Sequence, residues 1–326
     1  MVHAARIRGF GGPEAFEWLP IEIDAPAAHE VRVTQRAIGV NAVDLYMRAG
    51  NHPARLTFPA TLGFEAAGVV EAVGSEVKDF SRGDRIAYFG VLGAYAQERL
   101  VPAQRLLRVP AALDDQLIAA STVKGITAYY LCRQAYRVGR DDIVLIHAAA
   151  GGVGSILAQW CASLGATVIG TVGHDHKAKF AASHGCQHVI VSSHESVAER
   201  VAEVSDGQKA SVVFDALGGE FTLASLDCLR PRGTLVIFGR AAGYPRAIVP
   251  FEHLMQRGSL SVTMTQLADF TGTRADIEAA WNALCAAIAS GAVRPAIGQT
   301  FPLAMVGEAH REMEARRTVG ATILLT

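Results

Sequence analysis

Hydrophobic and polar positions alternate along the first third of the chain in short runs that glycine and proline cut off. Val31-Arg32-Val33, Ala67-Gly68-Val69-Val70-Glu71-Ala72-Val73 before Gly74, Asp84-Arg85-Ile86-Ala87-Tyr88, and Tyr95-Ala96-Gln97-Glu98-Arg99-Leu100 before Pro102 are of this kind. Such spacing predicts a β-rich first lobe reaching to about residue 110. From about Asp142 the rhythm changes to an apolar strand followed by a helix-length amphipathic segment, repeated several times. Strands are predicted over 143–147, 167–172, 188–191, 211–214 and 234–238, with a further apolar strand over 259–263. A helix over 154–164 ends at Gly165, the position just past a helix C-terminus that glycine favours. Alternation of this type predicts an α/β domain built on a parallel sheet. After about Thr265 come a helix over 273–290 stopped by Gly291, a proline-containing stretch and a short helix over 305–316.

Composition adds scale and exclusions. A chain of 326 residues suits two domains, each with its own core. Half of the residues are hydrophobic and 19% are charged, the balance of a folded enzyme. Thirty basic against 31 acidic residues leave a net charge of −1 without like-charge runs, which argues against a nucleic-acid or membrane-surface role. The opening Met1-Val2-His3-Ala4-Ala5-Arg6 lacks the apolar core of a signal peptide, and no window approaches the ~20 apolar residues of a membrane span. A cytoplasmic location is therefore expected. Cys132, Cys161, Cys186, Cys228 and Cys285 are scattered and never form Cys-x-x-Cys, so they read as reduced, mostly buried thiols.

The candidate chemistry begins where the strand over 143–147 runs into Ala148-Ala149-Ala150-Gly151-Gly152-Val153-Gly154 and then into a helix. This is the context of the dinucleotide fingerprint G-x-G-x-x-G, with Ala149 in the first glycine position, Gly151 in the second and Gly154 in the third. Gly151 lets backbone approach a pyrophosphate, Gly154 lets the helix pack on the strand, and the N–H groups of the helix start face the anion. A tight strand-to-helix turn without a ligand would use the same glycines. The choice of dinucleotide turns on the end of the second strand, about 20 residues on, where an acidic side chain would bind a ribose hydroxyl. Here the tip is Gly173, followed by His174, Asp175, His176 and Lys177. A non-acidic tip with Lys177 nearby favours a 2′-phosphate and hence NADPH, with Asp175 as an opposing charge and a solvated Lys177 as the alternative. His174, His176, His184, His188 and His194 lack metal-binding spacing and read as surface-loop histidines.

Further stretches carry a family resemblance: Gly11-Gly12-Pro13-Glu14, residues 37–50 from Ala37-Ile38-Gly39-Val40-Asn41 to Ala49-Gly50, Leu62-Gly63-Phe64-Glu65-Ala66-Ala67-Gly68, Lys124-Gly125-Ile126-Thr127-Ala128-Tyr129-Tyr130-Leu131, and Gly170-Thr171-Val172-Gly173. Over its whole length the chain resembles the medium-chain dehydrogenase/reductase superfamily, and within it the zinc-independent quinone oxidoreductases related to zeta-crystallin. The resemblance implies a β-rich GroES-like catalytic lobe, 1–124 with 266–326, and a Rossmann-type doubly wound parallel-sheet domain, 125–265. It places Asn41 and Phe64 where zinc-dependent relatives have cysteine and histidine ligands, so no metal is expected. It assigns cofactor contacts to Asn41, Asp44, Tyr46, Tyr130, Ala150, Gly151, Gly152, Val153, Gly173, His174, Lys177, Ser192, Leu217, Phe238, Gly239, Arg240, Thr263, Met264 and Arg316. Ser192 and His52 stand where relatives commonly carry tyrosines, near the 2′-phosphate and at the mouth of the substrate cleft.

The implied activity is transfer of reducing equivalents from NADPH to a quinone, with the nicotinamide between the lobes and Asn41, Asp44, Tyr46 and His52 at the reacting end. Tyr46 is the candidate proton donor, beside Asp44, whereas Asn41 can only hydrogen-bond. The alternatives are NADPH-dependent reduction of α,β-unsaturated carbonyls and an NADPH-binding protein with little turnover. The expected partners are a small-molecule substrate and a second copy of the chain in a homodimer, with no nucleic acid and no membrane.

Overall fold

The computed structural model describes residues 1–243 and 251–326. They divide into two compact units, 1–123 with 295–326, and 124–294.

The first unit is β-rich. Strands β1 (Val2–Ile7), β2 (Phe16–Ile21) and β4 (Ala60–Thr61) form a small antiparallel sheet in the order β2-β1-β4. The larger sheet takes β3 (Glu30–Val40), β5 (Glu65–Val73), β6 (Arg85–Phe89), β8 (Leu106–Arg108), β15 (Ile297–Pro302) and β16 (Ala321–Leu325) in the order β15-β16-β3-β5-β6-β8. Strand β7 (Glu98–Pro102) pairs with β3. Inward positions alternate as the sequence pattern requires: Val31, Val33, Val70, Ile86, Tyr88 and Val101 are all buried in one core. Two short helices pack on this unit, α1 (Ala42–Arg48) and α9 (Val306–Glu314). The run over 95–100 is only partly strand, because Tyr95 and Ala96 form a loop whose backbone reaches Ala5 and Leu62 before β7 begins at Glu98.

Helix α2 (Asp115–Tyr130) leads into the second unit. Its strands are β9 (Ile143–Ile146), β10 (Thr167–Val172), β11 (His188–Val191), β12 (Ala210–Asp215), β13 (Leu229–Ile237) and β14 (Ser261–Met264), all parallel, in the order β11-β10-β9-β12-β13-β14. Counted within the unit this is 3-2-1-4-5-6, the doubly wound dinucleotide-binding order, which reverses direction between β9 and β12. Every residue of β12 is buried, as befits a central strand covered on both faces. Helices α3 (Gly152–Ser163), α4 (Ala178–Ser183), α5 (Val197–Val204), α6 (Phe221–Leu226) and α7 (Phe251–Gln256) follow the strands in turn. Strand β13 starts five residues earlier than its apolar core at Thr234, because Leu229 pairs with Ala210 before the irregularity that Pro231 and Gly233 punctuate.

Helix α8 (Arg274–Ala289) is capped by Thr273, whose hydroxyl accepts from the Asp276 N–H, and stops before Gly291 at φ +75°. Its apolar stripe buries Ile277, Ala280, Trp281 and Leu284. Leu284 sits so close to helix α2 that a Cβ on Gly125 would stand 2.4 Å from its Cδ1. That packing places residues 266–294 with the second unit, whereas the family resemblance put 266–326 in the first.

Candidate active site

The glycine turn leaves β9 through His147, which is buried and hydrogen-bonded on both ring nitrogens, Nδ1 to Thr171 Oγ1 at 3.0 Å and Nε2 to Ser225 Oγ at 2.9 Å. Burial holds its pKa below the ordinary histidine value, against the pull of Asp215, so the ring acts as a neutral strut. Ala148 takes a left-handed conformation at φ +53°, Ala149 N donates to Thr171 O, and Gly151 N donates back to Ala148 O at 2.9 Å. Helix α3 starts at Gly152 with Gly151 as its N-cap. The first-turn N–H groups of Gly152, Val153 and Gly154 precede the earliest intrahelical donor, Ser155, which bonds Gly151 O. A Cβ on Gly154 would stand 2.4 Å from Ala148 O, so the helix approaches the strand as only glycine allows.

The other predicted nucleotide residues of this unit gather at the carboxyl ends of the same strands. Gly173, His174 and Lys177 follow β10; Gly173 is exposed, with nothing within 4 Å of where a Cβ would lie. Ser192 follows β11 and ties its hydroxyl to Val172 O at 3.2 Å. Asp175 accepts from His194 Nε2 at 3.1 Å, and this hydrogen bond lowers its carboxyl pKa. The turns after β12 and β13 are laced together: Asp215 O accepts from Phe238 N and Gly239 N, and Leu217 O accepts from Ala242 N. The buried Asp215 carboxylate in turn accepts from Leu217 N, Gly218 N and the Thr222 hydroxyl. Leu217, Phe238, Gly239 and Arg240 are thereby held side by side. Thr263 and Met264 end β14, and Thr265 beyond them meets the Tyr130 hydroxyl at 3.2 Å. Tyr130 stacks on Phe270 and is buried, which raises its phenol pKa to about 12.

In the first unit Asn41 is the N-cap of α1 and Asp44 its N3 residue. Asn41 N donates to Asp44 Oδ2 at 2.8 Å, and Asn41 Nδ2 donates to Glu65 Oε1 at 2.8 Å. Asp44 Oδ2 also accepts from the Tyr95 hydroxyl at 2.9 Å, so the carboxylate predicted to assist Tyr46 is engaged in holding the turn. Behind Tyr95 lies His310 of α9, with Nε2 3.0 Å from the Tyr95 oxygen and Nδ1 3.2 Å from Arg48 Nη1. A guanidinium only donates, so Nδ1 accepts and the proton sits on Nε2. Burial and Arg48 push the His310 pKa down to about 3, which keeps that neutral form. Arg48 also pairs with Glu314. Tyr46 and His52 are half-buried, His52 accepting from Ala54 N at 3.2 Å, and Arg316 lies just past α9 at φ +56°.

Glu65, Tyr95, His310, His147 and Asp215 are polar groups that periodicity did not single out. A signal existed for Glu65, as a carboxylate opening the Ala66-Ala67-Gly68-Val69-Val70 run of β5.

The family model for the alcohol dehydrogenase GroES-like domain matches residues 27–111, and that for zinc-binding dehydrogenase matches residues 152–285. A quinone oxidoreductase of Pseudomonas aeruginosa is 44% identical over 100% of both chains. The chain belongs to the quinone oxidoreductase family of medium-chain dehydrogenases/reductases. A 2-haloacrylate reductase of a Burkholderia species is 43% identical, covering 100% of this chain and 99% of the relative. The crystal structure of Escherichia coli quinone oxidoreductase complexed with NADPH superposes with a TM-score of 0.95 at 39% identity, covering 99% of this chain and 100% of that one. Within this family, the zinc of the dehydrogenase branch does not fit the residues present. Asn41 turns its Nδ2, which carries hydrogens and no available lone pair, toward Glu65, and the Phe64 ring packs against the core. Among the described residues no group of three or more His, Cys, Asp or Glu could hold a metal ion. None of their helices is long and apolar enough to cross a membrane.

Proposed function

We propose that the chain is an NADPH-dependent, zinc-independent quinone oxidoreductase. The observation that carries this reading is the glycine turn at the strand-order reversal, with a non-acidic, open Gly173 and Lys177 at the neighbouring strand tip. Ala150, Gly151, Gly152 and Val153 would hold the pyrophosphate. Gly173, His174, Lys177 and Ser192 would hold the adenosine ribose with its 2′-phosphate. Tyr130, Leu217, Phe238, Gly239, Arg240, Thr263 and Met264 would line the course toward the nicotinamide. Bound NADPH supplies a hydride. Asn41 and Tyr46 orient the acceptor by hydrogen bonding, Tyr46 gives its phenolic proton to the acceptor oxygen, and Asp44 and His52 shape that end of the site.

The test is fluorescence titration with NADPH and NADH, then NADPH oxidation measured across a panel of quinones. Preference for NADPH with turnover of at least one quinone is expected; binding without oxidation of any quinone sinks the assignment. The Burkholderia relative favours a second reading, reduction of a conjugated C=C bond, which mass spectrometry of the saturated product from an enone and 2-haloacrylate panel would reveal.

A homodimer is supported by the exposed edge strand β14, with Met264, and by Phe251 and Met255 exposed one turn apart on α7. Light scattering should give twice 34.5 kDa. Five unpaired cysteines, four of them buried, suit a cytoplasmic enzyme.

A further inference from the structure

Glu65 lies in a site built around it. The residue is completely buried; among its contacts, Oε1 takes Asn41 Nδ2 at 2.8 Å and Oε2 takes Val123 N at 2.6 Å. Space for the carboxylate exists because residue 39 is glycine: a Cβ there would stand 2.2 Å from Oε1. A carboxylate only accepts, so the Asn41 atom facing it must be the amide nitrogen. On the opposite side of the same turn, the Tyr95 hydroxyl donates to Asp44 Oδ2, which also takes Asn41 N. The direction of that donation is set from behind by Arg48 and His310, since Arg48 must donate to Nδ1 and Nε2–H must donate to the tyrosine oxygen.

We infer that Glu65 and Tyr95 are positioning residues for Asn41: Glu65 fixes which end of its side-chain amide faces inward, and Tyr95 holds the backbone that carries it. The inference rests on the reading of Asn41 as an acceptor-orienting residue. Glu65→Gln is the informative change, because a glutamine amide accepts through one atom only. The Val123 N–H belongs to a helix backbone and cannot turn away, so the new amide oxygen stays with it and the new NH2 meets Asn41. Asn41 must then rotate to present Oδ1, reversing the polarity of the amide while the fold keeps its volume.

The experiment is a double-mutant cycle on the full-length protein, with kcat for a quinone, NADPH affinity and Tm measured for wild type, Glu65→Gln, Asn41→Ala and the double variant. Glu65→Gln is expected to lower kcat about ten- to a hundredfold with NADPH affinity within about twofold. The double variant should be no slower than Asn41→Ala, since a residue acting through Asn41 has nothing left to act on. Multiplying losses in the double variant, or an unchanged kcat in Glu65→Gln, overturns the inference while leaving the role of Asn41 standing. An unchanged kcat in Asn41→Ala instead overturns that role, and the inference with it. Should Glu65→Gln fail to fold, Tyr95→Phe enters the same cycle, with non-additivity against Asn41→Ala again expected and multiplying losses again decisive against it.

Discussion

The methyl group of Ala149 fills space that Gly170 leaves open on the adjacent strand: a Cβ on Gly170 would stand 2.7 Å from Ala149 Cβ and 2.5 Å from Cys186 Sγ. Alanine in the first glycine position of the fingerprint is thus accommodated by a glycine 21 residues later. Gly170→Ala is expected to overpack this junction and destabilise the protein by about 1–3 kcal/mol. Ala149→Gly should be mild by itself and should recover part of the loss in the double variant. Thermal unfolding of the three variants checks this; strictly additive shifts would show that the two positions do not compensate.

The pair also shows what could be read from the chain and what could not. Strand β10, the helix after the turn and the stop of α8 follow from periodicity and from Gly165 and Gly291, all local signals. The compensation between Ala149 and Gly170 is visible only once β9 and β10 lie side by side. Glu65, Tyr95 and His310 are similar cases, since their partners are 24, 51 and 262 residues away. The placement of α8 depends on Leu284 meeting Gly125, a long-range contact that an amphipathic stripe announces without naming its partner.

Lys177 should govern the choice between NADPH and NADH. A hydrogen bond to a charged group contributes about 1.5–3 kcal/mol, so Lys177→Ala is expected to weaken NADPH binding about ten- to a hundredfold. NADH, which lacks the 2′-phosphate, should bind within about twofold of wild type. Equal losses for both cofactors would assign Lys177 a structural role instead.

His310 makes stability depend on pH in a defined window. Its folded pKa of about 3 lies below the unfolded value of 6.5, so the unfolded chain binds the extra proton in between. The contribution is complete above pH 6.5 and is lost progressively as the pH falls toward 3, amounting to about 5 kcal/mol at most. His310→Gln should lower Tm at pH 8 and flatten its decline between pH 6.5 and 4. A parallel decline in the variant would mean that other groups, such as the buried His147, carry the acid limb.

The thiols should be slow to react in the native protein. The nucleophile is the thiolate, and burial raises the Cys186 and Cys228 thiols to about 12 and Cys161 well above its ordinary value. Cys285, on the outer part of α8, is the most accessible of the five, yet burial still brings it to about 11. At pH 8 a thiol of that pKa is ionised in about one molecule in a thousand. A disulfide reagent such as DTNB should therefore show one slow phase in the folded enzyme, removed by Cys285→Ser with quinone turnover intact. All five thiols should titrate in guanidinium. Bound NADPH should slow any reaction of Cys186, because that thiol packs against Gly170, which also faces Ala149 of the glycine turn. A fast native phase that survives Cys285→Ser would mean that the strand ends around the turn open far more often than their packing implies.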